Sequence, residues 1–171
     1  MSALKFFAAV AAAVLFHCLG EALIPRFTQV IDVFLVVVVL HGLESSSLAA
    51  LFAGMFVGLI HDHFSGGAFG LFGFADTIIG YGAARLAQRL VIQRATGVLA
   101  LVSFAAVAQQ AIVIGLTYLL LPAPEVPNPL WVAIQAGACG LLGMSIHIAS
   151  ANWRRAAEAR RRGRMSRLRL G

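Results

Sequence analysis

The chain has 171 residues, 60% of them hydrophobic and 12% charged, at a mean hydropathy of +0.89; a soluble domain carries roughly 25% charged residues, so a water-soluble globule is excluded. The formal net charge of +6 does not indicate a nucleic-acid binder, because eight of the thirteen basic residues lie in one C-terminal tail directly after an apolar segment, where positive charge marks the cytoplasmic side of a membrane. A bilayer-spanning helix needs about 20 mostly apolar residues, so the roughly 150 residues ahead of that tail accommodate six.

The first predicted span runs from about Leu4 to Ile24 and ends at Pro25-Arg26. Its N-terminal Lys5 and apolar run resemble a signal peptide, but no convincing small-residue cleavage site follows, so it reads as a retained span. The second, Phe27 to Leu43, is short and carries Asp32 near its start; its valine-rich centre is compatible with helix in lipid, and the span can be tilted, broken or partly re-entrant. The third runs from Ser47 to Ile60 and ends in a polar, glycine-rich turn from His61 to Gly67.

The fourth span, Ala68 to Ala84, is followed by Arg85, Arg89 and Arg94, a stretch readable as a basic amphipathic extension of the helix. The fifth, Gly97 to Leu121, stops at Pro122, where four prolines in eight residues cannot continue a helix. The sixth, Leu130 to Ala151, leads to Trp153 and the arginines. The expected organisation is thus an all-α, six-helix transmembrane domain over residues 1–152 and a basic cytoplasmic tail over 153–171.

With the N-terminus inside, Lys5, the three arginines after the fourth span and the eight-arginine tail fall on the cytoplasmic side, and only Arg26 falls opposite. That asymmetry follows the positive-inside rule, and an odd number of spans would break it. Both termini are therefore expected in the cytoplasm, with the proline loop and the His61-Asp62-His63 turn outside. Arg154, Arg155, Arg160, Arg161 and Arg162 open the tail, which is read as an orienting, lipid-facing segment in preference to a site for a specific anionic partner.

Ionisable residues at membrane depth are costly and invite a functional reading. Asp76 is the deepest, and Gln109 or Gln110 of the fifth span and Gln135 of the sixth are candidates to share its hydrogen bonds. A neutral structural carboxyl is expected there ahead of a proton- or ligand-coupled one. His17 and Glu21, four apart on one helical face, suggest a local ion pair. The His61-Asp62-His63 triplet suggests a metal, but consecutive helical residues diverge by about 100°; no metal site is expected. Asp62 is expected to cap the turn by accepting backbone hydrogen bonds around Ser65 to Gly67.

No nucleophile–base constellation and no phosphate-binding glycine loop are visible, which argues against an enzyme, and nothing points to a cofactor. Cys18 and Cys139 both sit in apolar segments, where small hydrophobic packing is the usual role, and no disulfide is expected. Small residues recur at helix-contact spacing. Gly54 and Gly58 form Gly-x-x-x-Gly, and Gly137, Gly140 and Gly143 form a stripe on the sixth span. Such stripes allow close approach in lipid, within this chain by preference or against another membrane protein.

The string Gly58-Leu59-Ile60-His61-Asp62-His63-Phe64-Ser65-Gly66-Gly67-Ala68-Phe69-Gly70-Leu71, with Gly80-Tyr81 downstream and Asp32 before an aliphatic run, resembles the rod shape-determining protein MreD family. The family pattern is Gly-Leu-x-x-Asp, a short Ser/Gly turn, a Gly-Leu leading into the next span and a Gly-Tyr near its end. Three departures stand out. Asp32 lacks the adjacent proline, histidines flank Asp62, and Asp76 is charged where the family is usually apolar.

The resemblance implies a non-enzymatic component of the bacterial elongation machinery in the inner membrane. It implies partnership with an MreC-type single-span protein, with MreB filaments, RodZ, RodA and a class B penicillin-binding protein in the wider assembly that controls peptidoglycan synthesis. The family is similar in architecture to the S components of energy-coupling-factor vitamin transporters, which supplies an alternative reading as a binder of a small molecule.

Overall fold

The structure, a computed structural model, describes residues 3–89, 94–120 and 128–168, with side chains through residue 156. All its regular elements are helices: α1 (Ala3–Leu23), α2 (Phe27–Val30), α3 (Val33–Glu44), α4 (Ser47–Ser65), α5 (Leu71–Arg89), α6 (Ala95–Leu120) and α7 (Pro129–Leu168). Among the described residues five stretches are long and apolar enough to cross a membrane: Ala3–Leu23, Phe27–Glu44, Ser47–Ser65, Ala95–Leu120 and Pro129–Ala156. The chain is an all-α polytopic membrane protein. The fourth predicted span, α5, has 19 residues, but Asp76, Thr77, Arg85, Gln88 and Arg89 lower its hydropathy. It packs against α3, α4 and α6, which buries Asp76 and half-buries Thr77, while Arg85, Gln88 and Arg89 stand exposed in its last turns.

The second predicted span is broken, as its sequence allowed. α2 ends at Ile31, which is extended, and Asp32 starts α3 by accepting a hydrogen bond from Leu35 N–H at 2.9 Å on its Oδ1. This cap satisfies one of the N–H donors that a helix start leaves without a partner. α3 is the central helix: Phe34, Leu35, Val38 and Val39 are fully buried. They divide between two cores, one shared with α5, α6 and α7 and the other with α1 and α4. Lipid is as apolar as these side chains, so their burial reflects packing and shape more than escape from water.

The third and fourth spans meet at a corner placed later than the sequence suggested. α4 continues through Ser65, carrying His61, Asp62 and His63 in its last turns. The polar triplet does not end the helix. Gly66 does, at φ 65°, and Gly70 at φ 101° turns the chain into α5; both values favour a residue without Cβ. α5 extends through Arg89 as the basic amphipathic reading expected, and Tyr81 lies under the Arg85 guanidinium, 5.6 Å from ring centroid to carbon. Arg94 follows residues 90–93, and the proline loop over 121–127 also lies outside the described residues.

α7 runs without interruption past Trp153 to Leu168. Arg154 reaches back to pair with Glu44 at the end of α3, and the side chains of Arg160, Arg161 and Arg162 lie outside those described. Lys5 and Arg154 line a common cavity with Glu44, so the start of α1 and the outgoing end of α7 share one end of the bundle.

Candidate functional site

The polar side chains within the bundle form separate clusters, each at a junction between helices. At the α4–α5 corner, Asp62 is buried and its two oxygens accept from Phe72 N–H and Gly73 N–H, each at 2.9 Å. The expected acceptor role is present, but the donors are the first turn of α5 and not Ser65 to Gly67. In the turn, Ser65 Oγ donates to the Asp62 carbonyl at 3.0 Å and accepts from Gly67 N–H at 3.4 Å. The reason for the shift is geometric. Asp62 is still helical and faces inward, so its carboxylate meets the start of the returning helix, where unpaired N–H groups and the positive end of the helix dipole converge.

Gly73 permits that approach: a Cβ there would lie 3.2 Å from Asp62 Oδ2 and 2.9 Å from Leu59. Below the corner α4 and α5 touch backbone to backbone. A Cβ on Gly58 would lie 2.5 Å from the Phe72 carbonyl oxygen, one on Gly80 would lie 2.5 Å from that of Ala50, and one on Gly54 would overlap that of Asp76. Gly54 and Gly58 therefore pack within this chain.

Asp76 is fully buried and accepts from Gln109 Nε2 at 2.7 Å. Its Oδ2 and Gln109 Oε1 have no partner among the described residues. A carboxylic acid and a carboxamide can close a ring of two hydrogen bonds, the acid hydroxyl donating to the amide oxygen while the amide N–H donates to the acid carbonyl. A carboxylate cannot supply the first of these. Gln135 does not join this pair. It accepts from Gln110 Nε2 at 2.8 Å and donates to the Thr28 carbonyl at 3.4 Å, because neighbouring Gln109 and Gln110 point about 100° apart on α6. One glutamine faces α5 and the other faces α7.

A third cluster joins α1, the α2–α3 break and α4. His61 Nδ1 lies 3.7 Å from Asp32 Oδ2, and His17 Nε2 lies 3.6 Å from Glu21 Oε2, the local pair that the spacing suggested. The His17 and His61 ring centroids are 6.4 Å apart, and His61 sits between Phe34 and Phe72 at 5.0 and 3.9 Å. Asp32 is further fixed by Cys139: its N–H donates to Cys139 Sγ at 3.2 Å, and the thiol returns a bond to its carbonyl at 3.6 Å. Apolar packing alone does not describe Cys139. Among the described residues no three His, Cys, Asp or Glu side chains are arranged to hold a metal ion.

The stripe on α7 divides. Gly140 and Gly143 face α6, where an added Cβ would overlap Ser103 Oγ or come within 2.9 Å of Val102, whereas Gly137 has open space around it. At 100° per residue a three-residue repeat drifts round the helix, so the three glycines do not share a face. Ser103, which the sequence reading passed over, donates to the Ala136 carbonyl at 2.9 Å. Its one signal was a hydroxyl in an apolar span facing a run of small residues.

These arrangements are those of a packed membrane bundle in which buried polar groups position helices. The family model described as rod shape-determining protein MreD matches residues 1–125, covering α1 to α6. No curated protein and no solved structure matches the chain.

Proposed function

The chain belongs to the rod shape-determining protein MreD family, and from that premise we propose that it is a non-enzymatic scaffold of the cell-elongation machinery, recruiting an MreC-type single-span protein in the bacterial inner membrane. The family match carries the reading. In support, five of the residues quoted for the family pattern serve the fold. Asp32 starts α3, Gly58 and Gly80 let α4 and α5 touch, Asp62 holds the corner, and Gly70 turns it. RodZ, RodA, a class B penicillin-binding protein and MreB are the further members of the proposed assembly, through which the protein would regulate peptidoglycan synthesis. Orientation follows the charge count: termini in the cytoplasm, the Gly66–Gly70 corner outside.

The test is co-expression with the MreC-type protein and purification in mild detergent and nanodiscs, with complex yield read separately from the yield of folded chain. Co-purification at a fixed ratio is expected. No association, together with tight binding of a vitamin-sized molecule, would overturn the scaffold in favour of a transporter S component.

A further inference from the structure

A cavity of about 820 Å³ lies between α1 and α7, floored by α3. Its deep part is apolar, lined by residues such as Ala13, Phe16, Val33, Val36 and Val37. Its polar lining, Lys5, His41, Glu44, His147, Ser150 and Arg154, is gathered toward one end, the end shared by the start of α1 and the outgoing part of α7. Lys5 and Arg154, with Glu44 paired to Arg154, sum to one net positive charge among the charged residues lining that mouth, with Arg155 next in sequence. Trp153 stands there 82% exposed, the placement of an aromatic side chain at a membrane–water interface.

The length of the groove selects its occupant. On α1 the lining runs from Lys5 to Phe16 and on α7 from Leu142 to Arg154, which at 1.5 Å per residue is about 16 to 18 Å. That is close to one leaflet of a hydrocarbon core about 30 Å thick. A partner helix crossing the bilayer would call for a groove along about 20 residues. A lipid calls for one leaflet of apolar depth and a polar mouth. We propose that this groove is a binding site for an anionic phospholipid, its acyl chains against Ala13, Val33 and Val36 and its phosphate at Lys5 and Arg154.

The assignment does not depend on the scaffold reading. It is tested on the full chain in detergent by native mass spectrometry, titrating phosphatidylglycerol against phosphatidylcholine of identical acyl chains. The wild type should retain one phosphatidylglycerol in preference to phosphatidylcholine. Lys5→Gln should reduce that preference about fivefold, the effect of one basic group near an anionic surface. Ala12→Trp and Ala149→Trp fill the groove from exposed positions on its two walls, and each should remove the bound lipid while leaving the tail arginines intact.

Persistent phosphatidylglycerol binding in both tryptophan variants, with each folded by circular dichroism, would place the lipid on the basic tail and overturn the proposal. Equal retention of the two lipids by the wild type would also overturn it. So would loss of an MreC-type partner, without loss of lipid, in the tryptophan variants.

Discussion

The α4–α5 and α6–α7 pairs carry similar small-residue signatures and use them differently. In α4–α5, Gly54, Gly58 and Gly80 each bring backbone against a facing carbonyl, and Asp62 ties the two helices at the corner. In α6–α7 the nearest neighbours of Gly140 and Gly143 are the Ser103 hydroxyl and the Val102 methyl groups, the facing Leu99 carbonyl standing farther off, at 3.1 Å from a Cβ on Gly140, and the cross-links are Ser103 to the Ala136 carbonyl and Gln110 to Gln135. A glycine repeat therefore reports that close approach is possible. What opposes the glycine decides how much the position can change, since a side chain can swing aside and a carbonyl cannot.

That contrast is broken most severely at Gly54. Leucine there would overlap the Asp76 carbonyl, and relief requires the helices to separate. Overpacking ordinarily costs about 1–3 kcal/mol, and a backbone clash at the tightest contact should exceed it. The expected outcome for Gly54→Leu is loss of the monodisperse folded protein in detergent, read by size-exclusion chromatography. Gly140→Leu should be milder, and equal damage from both would refute the distinction between carbonyl and side-chain neighbours.

Next in size is Asp62. Alanine removes both acceptors for the first turn of α5, leaving Gly73 N–H buried without a partner. A lost N-cap costs about 0.5–2 kcal/mol, and the orphaned donor raises the expectation to about 2–4 kcal/mol. Asn retains one acceptor oxygen and should lose roughly half as much. Thermal unfolding in detergent should rank wild type above Asp62→Asn and Asp62→Ala lowest. If the order of the variants reverses, the carboxylate is not acting as a cap.

Asp76 sharpens the comparison because its partner is a side chain. In Asp76→Asn an amide faces the amide of Gln109, and two hydrogen bonds can again close, so the change should cost less than about 1 kcal/mol. Asp76→Leu strands the Gln109 amide in the interior, and by the penalty for an unsatisfied buried group should cost about 1–3 kcal/mol. Destabilisation by Asn as large as by Leu would show that the site holds a charge and not a neutral acid.

Most of the helix content was legible, since apolar length alone marks spans in a chain this hydrophobic. α1 ended ahead of Pro25 as expected, and α7 starts at Pro129, one residue before the expected Leu130. The corner was misplaced because polarity reads as a turn, whereas His61, Asp62 and His63 extend α4 and two glycines at positive φ do the turning. Asp32, Asp62, Asp76, Gln109 and Gln135 were all singled out by their polarity in apolar surroundings. Of their partners only Gln109 was named, for Asp76; the others were not, because each of those bonds joins residues on different helices except the local cap at Asp32. Spacing along one helix found only the His17–Glu21 pair. The convergence of His17, His61 and Asp32 depends on how three segments cross, which no periodicity records.

The smallest effect on the fold is expected at Gly137, which makes it the most useful probe of a partner. A Cβ there meets nothing within 4 Å, and the residue is exposed on α7 between Ile134 and Leu141, themselves exposed at 39% and 55%. Leucine at this position should leave the unfolding midpoint unchanged within error, and should even favour the helix, since glycine is about 1 kcal/mol worse than alanine in a helix interior and leucine nearly as good as alanine. If the MreC-type helix packs on this face, the same substitution fills the notch that Gly137 leaves between Ile134 and Leu141, and complex yield should fall while folded chain is retained. Gly140→Leu lowers complex yield only by lowering folded chain, so the two variants separate a contact between proteins from a contact within one. Unchanged complex yield in Gly137→Leu would move the partner to another face, with the exposed outer surface of α1 from Leu4 to Leu23 the next to be substituted.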